Sequence, residues 1–238
     1  MPAMSETSAI SLEKVTAAAP DLVERYESAR VSLNKRRLLG ERAAVYLVLD
    51  RSGSMRPFYE DGTVQHLAEQ ALGLAAHFDD DGVVPTVFFS TDVHTTADVT
   101  LGAHRGRIAA IHDTLGHMGR TYYAKAMRAV IAHYRASGAT APAFVLFQTD
   151  GAPKDKGETG RLLAESAGLP IFWQFVGFGD DEFAFLRRLD DLPGRLVDNA
   201  GFFPAGGKPA ALPDAELYDA LMAEFPTWLT AARGAGIL

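Results

Sequence analysis

Three oxygen-bearing side chains lie at alternate positions directly after an apolar stretch of the sequence. Asp50, Ser52 and Ser54 follow residues 45–49, a run of five apolar residues. Oxygen ligands spaced by two can converge on one point if the chain between them bends away, and Gly53 permits such a bend because it has no Cβ. Carboxylate and hydroxyl oxygens suit Mg²⁺, Mn²⁺ or Ca²⁺ better than zinc. The segment therefore predicts a loop that binds a divalent cation, although a plain strand-to-loop transition is the alternative.

Two apolar runs of the chain must position such a loop. Residues 45–49 are apolar without alternation, and so are residues 143–148 apart from Gln148 at their end. Such runs are typical of strands buried on both faces of a parallel sheet. The second run ends in a polar turn that contains Asp150. We expect the two strands to be neighbours in the middle of the sheet, because interior strands need apolar residues on both faces. Asp50 and Asp150 then lie at the same edge.

A third polar turn comes between these strands, at Gly119, Arg120 and Thr121. It precedes a helical pattern that begins near Tyr123, so the Thr121 hydroxyl is expected at the start of a helix. On its own this arrangement is explained better by a threonine that caps the helix than by a metal ligand.

The three turns, taken in order, resemble the metal-ion-dependent adhesion site (MIDAS) of von Willebrand factor A (VWA) domains. Asp50, Ser52 and Ser54 match its Asp-x-Ser-x-Ser element, Thr121 matches its Gly-x-Thr element and Asp150 matches its last aspartate. The resemblance implies that these five residues hold one Mg²⁺, or Ca²⁺ or Mn²⁺. It also implies that the ion binds an acidic side chain of a partner protein.

The end of the chain is similar to a narrower group within this family. Residues 217–222 (LYDALM) and residues 225–229 (FPTWL) resemble the tail of VWA proteins encoded with tellurium-resistance (Ter) systems, of TerF or TerY type. Residues 175–180 (FVGFGD) point the same way. The resemblance implies a role in tellurite or stress resistance. TerF proteins often carry a TerD-like domain as well, which this sequence does not resemble, so the assignment within the group stays open.

The order of apolar runs and helical patterns predicts an α/β fold with three layers. We expect a doubly wound, mostly parallel central sheet of about six strands, with residues 93–99 as a short antiparallel edge and residues 195–203 as the last edge strand. Residues 41–238 would form the VWA domain and residues 1–40 an N-terminal helical extension. Thr63 and Asp214 are placed to cap two helices, and Pro226 should kink or split the closing one.

Composition narrows the classes of function. The 238 residues carry a net charge of −7, which disfavours nonspecific nucleic-acid binding and docking on an anionic membrane. There is no cysteine, so thiol catalysis and cysteine–zinc sites are excluded. No signal-peptide pattern and no long apolar span is present, which favours a cytoplasmic location.

The competing class is a hydrolase, in particular a Mg²⁺-dependent phosphoester hydrolase that uses Asp50. A phosphatase of the haloacid-dehalogenase kind needs a second aspartate two residues later as its general acid, and that position is Ser52. A Gly-x-Ser-x-Gly elbow is also missing. We therefore expect no enzyme activity; a purely structural domain with an empty loop is a third possibility. Because the loops should face solvent, replacing Asp50 or Asp150 by alanine is expected to leave the fold intact.

Overall fold

The central sheet has six strands, as the apolar runs predicted. In the computed structural model, which describes residues 8–238, the strand order is β3-β2-β1-β4-β5-β6, and every neighbouring pair is parallel except β2 and β3. The strands are β1 (Ala44–Asp50), β2 (Val83–Phe89), β3 (Val93–Thr100), β4 (Ala143–Thr149), β5 (Ile171–Phe178) and β6 (Ala200–Gly206). The two most apolar runs, in β1 and β4, are adjacent in the middle, which confirms the prediction.

Ten α-helices within the described residues surround this sheet. They are α1 (Leu12–Ala18), α2 (Val23–Lys35), α3 (Arg56–Glu60), α4 (Thr63–Phe78), α5 (Arg107–His112), α6 (Tyr123–Ser137), α7 (Lys156–Ser166), α8 (Ala184–Asp190), α9 (Asp214–Leu221) and α10 (Phe225–Gly234).

The sheet separates two hydrophobic cores, because successive side chains of a strand point to opposite faces. In β1, Val45, Leu47 and Leu49 belong to the core formed with α1, α2, α4, α5, α9 and α10. Tyr46 and Val48 belong to the other core, formed with α6, α7 and α8. This is the three-layer, doubly wound architecture that the sequence predicted.

Local predictions at the ends of elements had mixed outcomes. The capping prediction for Thr63 was wrong: Gly62, with φ 81°, precedes α4, and the Asp61 carboxylate accepts the hydrogen bond from the Thr63 amide. Asp214 does not cap its helix either, because it is the first helical residue and accepts a hydrogen bond from the Gln70 side chain. Pro226 does split the closing segment, because α9 ends at Leu221 and Pro226 lies in the first turn of α10.

The last edge strand lies further along the chain than predicted. It spans Ala200–Gly206 and pairs with β5, whereas residues 195–199 are outside it. Asn199 explains part of this shift: its side chain is buried and donates to the Leu163 carbonyl and to the Ser166 hydroxyl, which holds the preceding turn against α7.

The N-terminal helices pack into the core of the sheet's first face. Tyr26 of α2 stacks on His77 of α4 with ring centroids 4.0 Å apart, and Val15 and Leu22 are buried in the same cluster. The boundary near residue 40 stays a prediction, and residues 1–7 of the expected extension lie outside the described residues. Within residues 8–238, no helix is both long enough and apolar enough to cross a membrane.

Candidate metal centre

Asp50 ends β1 and is held by the loops on both sides. Its side chain is fully buried; Oδ1 accepts a hydrogen bond of 2.7 Å from the Ser52 amide, and Oδ2 accepts one of 2.7 Å from the Thr149 hydroxyl at the end of β4. Thr149 in turn accepts a hydrogen bond of 3.0 Å from the Tyr123 hydroxyl. The expectation that this loop faces solvent was therefore wrong for Asp50, because the ends of β1 and β4 cover each other.

Ser52, Ser54 and Asp150 lie together just beyond Asp50. The Ser52 and Ser54 hydroxyl oxygens are 3.3 Å apart; Ser52 is buried, Ser54 is exposed and Asp150 is partly buried. Burial raises the pKa of Asp150, while hydrogen bonds from Ser54 and Ser52 act in the opposite direction. Two hydroxyls and two carboxylates thus converge at the carboxyl ends of β1 and β4.

This group of side chains is short of positive charge. Burial raises the pKa of Asp50 to about 7, and the nearby Asp150 charge adds to the rise, although hydrogen bonds from Thr149 and Ser52 oppose it. In residues 8–238, no lysine, arginine or histidine forms an ion pair with either carboxylate. A cation bound here would replace the missing counter-charge.

The loop that contains Thr121 is fixed to both of the other loops through its backbone. Gly119 forms a parallel bridge with Ser52, and its carbonyl accepts a hydrogen bond of 3.0 Å from the Gly53 amide. The Thr121 carbonyl accepts one of 2.9 Å from the Lys154 amide. A Cβ at Gly119 would lie 2.4 Å from the Thr91 hydroxyl, so this close approach requires glycine.

Thr121 is not a helix cap, which removes the simple alternative for that turn. Tyr122 is the N-cap residue of α6, and the Asp155 carboxylate accepts hydrogen bonds from the amides of Tyr123 (3.1 Å) and Ala124 (3.0 Å). The Thr121 hydroxyl has no hydrogen-bond partner among the described residues, and the side chain is partly exposed.

Arg51 also belongs to the site's framework, and the sequence reasoning missed it. It is only 3% exposed, and its guanidinium donates to the Gly116 carbonyl (2.7 Å), the Leu115 carbonyl (3.1 Å) and His112 Nδ1 (3.1 Å). These bonds fix the turn that leads into Gly119. A buried arginine that bonds only to carbonyls and an imidazole leaves no periodic signal in a sequence.

Tyr59 connects the same network to Asp50. Its hydroxyl donates to the Asp50 carbonyl at 3.1 Å, and its ring stacks on His112 with centroids 4.2 Å apart. His112 supports this network as well, because its Nδ1 accepts the hydrogen bond from Arg51.

The side chains present fit a hard divalent cation that keeps part of its water shell. Among residues 8–238 there is no group of three or more histidines, aspartates and glutamates able to hold a metal. At this edge of the sheet the protein offers two carboxylates and three hydroxyls. This set suits Mg²⁺, which is usually bound by one or two carboxylates and retains several waters. The assignment of Asp50, Ser52, Ser54, Thr121 and Asp150 as metal ligands stays a prediction.

The sheet order and the three loops at its edge define a VWA-type domain, and comparison with known families agrees. The chain belongs to the vWA-TerF-like family, described as the vWA found in the TerF C terminus, which matches residues 42–238. It is 37% identical over 216 residues to the uncharacterised protein YcbR of Bacillus subtilis (strain 168), and the match covers 89% of this chain and 88% of YcbR.

Solved structures share the fold at low sequence identity. A mutant of the minor pilin PilB from Streptococcus sanguinis has a TM-score of 0.53 and 14% identity, with 80% of this chain and 63% of the pilin covered. Proximal thread matrix protein 1 of the mussel byssus has a TM-score of 0.52 and 18% identity, with 76% of this chain and 47% of that protein covered. The chain thus spans less than two thirds of either neighbour.

Proposed function

We propose that this protein is a metal-ion-dependent protein-binding module. Asp50, Ser52, Ser54, Thr121 and Asp150 would hold one divalent cation, Mg²⁺ or else Mn²⁺ or Ca²⁺, and a partner protein would supply an acidic side chain. The observation that carries the proposal is the convergence of hydroxyls and carboxylates at the ends of β1 and β4 without a basic partner in the described residues.

Each residue of the site has a role that its position supports. Asp50 is buried and bonded by Ser52 and Thr149, so it would fix the loop and supply negative charge from behind. Ser52, Ser54 and Thr121 present hydroxyl oxygens, and Asp150 is the carboxylate nearest to solvent. A divalent cation bound there would offer an open coordination position to a carboxylate oxygen.

The same geometry favours binding over catalysis. Both oxygens of Asp50 accept hydrogen bonds and the residue has no exposed surface, so it is badly placed to attack a phosphoester. The position of a phosphatase general acid is occupied by Ser52, whose hydroxyl has no suitable pKa. We therefore propose that the protein is not an enzyme.

The family supports a place for this binding in resistance to tellurite or related stress. The chain belongs to the family of the VWA domain of TerF, and its structural neighbours include a byssus matrix protein and a minor pilin. We propose a cytoplasmic adaptor that recruits an acidic surface of another protein in such a response.

Titration calorimetry tests the metal site directly. We expect the wild type to bind Mg²⁺ or Mn²⁺, and Ser52→Ala and Thr121→Ala to bind each ion more weakly while retaining the wild-type circular dichroism. Thr140→Ala is the matched control, since Thr140 is an exposed threonine that precedes β4, at its other end. Unchanged affinity in both site variants would exclude the assignment.

Partner binding and catalysis are then separated by two assays. Capture of partners from native lysate should require the divalent ion, be reversed by chelator and be lost in Asp150→Ala. A panel of phosphoesters incubated with the protein and Mg²⁺ should show no turnover. Metal-dependent turnover that disappears in Asp50→Asn would overturn the proposal in favour of a hydrolase.

A further inference from the structure

The helices on one face of the sheet are basic, although the whole chain is acidic. α6, α7 and α8 together contain seven lysines and arginines and three acidic residues, whereas the chain carries a net charge of −7. The negative charge is therefore concentrated elsewhere. A surface of this kind attracts a negatively charged partner and orients it.

A groove with an apolar floor lies between two of these helices, and we call it the α7–α8 groove. Its volume is about 520 Å³, and Phe185, Leu189 and Leu192 contribute to its floor. Arg161 of α7 and Arg188 of α8 lie on its rim. Both arginines are exposed, and neither forms an ion pair or hydrogen bond through its side chain within residues 8–238. Their charges are thus available to an incoming molecule.

Two glycines keep the groove open. Gly157 and Gly160 line it from α7, and a Cβ added at either would meet no atom within 4 Å. Neither has a positive φ, so neither the backbone nor the packing of the chain requires glycine there. A glycine inside a helix costs roughly 1 kcal/mol relative to alanine. The absence of side chains at these two positions leaves the backbone of α7 accessible from outside the domain.

A large apolar side chain is exposed near the end of α7. Leu196 is 66% exposed, and its Cδ2 would lie 3.9 Å from a Cβ added at Gly168, two residues after the helix ends. Leu196 does not line the groove, so it adds exposed apolar surface near α7 rather than a part of the groove itself.

We propose that the α7–α8 groove binds an acidic amphipathic helix of a partner protein. Leucine-like side chains of that helix would lie on Phe185 and Leu189, and its glutamates or aspartates would face Arg161 and Arg188. A helix fits because the groove runs along about two turns of α7, and the glycines allow a third helix to approach closely. Lys156 also lines the groove, with its Nζ 5.9 Å from the centre of the Phe185 ring, and adds a third positive charge for the acidic face of the helix. A nucleic acid fits less well, because Phe185, Leu189 and Leu192 offer apolar surface rather than hydrogen-bonding groups to its bases.

None of the residues that line the groove belongs to the candidate metal centre, so the proposal does not rest on a bound ion. Binding of the helix is therefore expected with and without a divalent ion, which distinguishes failure of this proposal from failure of the metal-dependent function.

Fluorescence anisotropy with designed peptides tests the proposal on the full-length chain. The probe is a labelled, acetylated peptide of about 14 residues, with leucine at helical spacing and glutamate elsewhere. Its comparisons are a scrambled peptide of the same composition, a version with lysine in place of glutamate, and a short DNA duplex. Light scattering of the unliganded protein reports whether a second copy of the chain occupies the groove.

We expect the amphipathic glutamate peptide to bind about tenfold more tightly than the scrambled one, and the lysine peptide not to bind. Gly160→Leu, which fills the groove, and Arg161→Glu should each weaken binding about tenfold or more. Arg135→Glu is the control, because it makes the same charge change on α6, outside the groove.

Several outcomes would overturn the proposal. Equal losses in Arg161→Glu and Arg135→Glu, with Gly160→Leu unaffected, would mean nonspecific charge attraction. Preference for the DNA duplex would assign the face to nucleic acid, and a dimer lost in Gly160→Leu would assign it to a second copy. Gly160→Ala supplies a check on folding: it should raise the unfolding temperature, since alanine favours the helix and meets no neighbour.

Discussion

The substitution Asp50→Asn separates the charge of the metal centre from its shape. Asparagine has the size of aspartate, and its carbonyl oxygen can accept the hydrogen bond from the Ser52 amide. Its NH₂ group can donate to the Thr149 hydroxyl, which in the wild type donates to Asp50 and in the variant would accept instead. The hydrogen bonds of the loop are kept and only the buried charge is removed. The variant is therefore expected to fold.

The pKa of Asp50 determines how much stability the substitution Asp50→Asn should add to the ion-free protein. Burial raises this pKa from 3.8 to about 7, so the ion-free fold holds the proton more tightly than the unfolded chain does. The carboxyl then costs no stability below about pH 4, and the cost grows as the pH rises towards 7. Above pH 7 it reaches about 4 kcal/mol, at 1.36 kcal/mol for each pKa unit.

Thermal unfolding measures both the gain in stability without ion and the loss of stabilisation by Mg²⁺. In chelator at about pH 8, Asp50→Asn should unfold above the wild type by up to roughly 8–16 °C, at about 2–4 °C per kcal/mol, and the difference should vanish near pH 4. Mg²⁺ at a hundred times its dissociation constant should stabilise the wild type by about 2.7 kcal/mol and leave the variant unchanged.

The control for this experiment is Asp155→Asn. The two oxygens of Asp155 accept hydrogen bonds from two amides at the start of α6, and asparagine can accept only one of them. The variant should therefore lose about 1 kcal/mol of stability, yet Mg²⁺ should stabilise it by as much as it stabilises the wild type. An Asp50→Asn protein that Mg²⁺ stabilises as strongly as the wild type would refute the reasoning.

Three further predictions concern Arg51, Glu224 and Phe225, none of which is a candidate metal ligand. Arg51→Met should weaken Mg²⁺ binding about tenfold in calorimetry, because the turn before Gly119 loses its anchor; unchanged affinity would refute its positioning role. Burial, with the charges of neighbouring acids, raises the pKa of Glu224 to about 7, so Glu224→Gln should raise the unfolding temperature near pH 8 and not near pH 5. Phe225→Ala should cost about 3–5 kcal/mol in urea unfolding, since the ring is fully buried 4.9 Å from that of Phe144; a small loss would mean that α10 is dispensable.

The middle of the sheet could be predicted because its two central strands are marked by their apolar composition. Residues 45–49 of β1 and 143–147 of β4 are all apolar. Strands of this kind are buried on both faces, and this places them in the middle of a parallel sheet. The position of the loops followed from this placement of the strands, since the carboxyl ends of neighbouring parallel strands meet at one edge of the sheet. The resemblance to VWA domains rested on the residues at those ends.

The capping predictions failed for a different reason. Thr63 and Asp214 have suitable side chains, but partners far away in the sequence or a glycine with positive φ decide the actual geometry. Arg51 and Thr149 were missed because their roles depend on bonds across more than sixty residues, to Gly116 and to Asp50. Pairings between distant loops leave no local pattern in one sequence.

The hydroxyl chain from Asp50 through Thr149 to Tyr123 has an optical consequence. Tyr123 is fully buried, and its ring packs against Phe147 and Phe175 beneath the candidate metal centre. An asymmetric, immobile environment gives a tyrosine a strong near-ultraviolet circular dichroism signal, and the polarity of its hydroxyl bond alters that signal. Ion occupancy at the edge of the sheet should therefore be visible in the spectrum of the native chain, without any attached label.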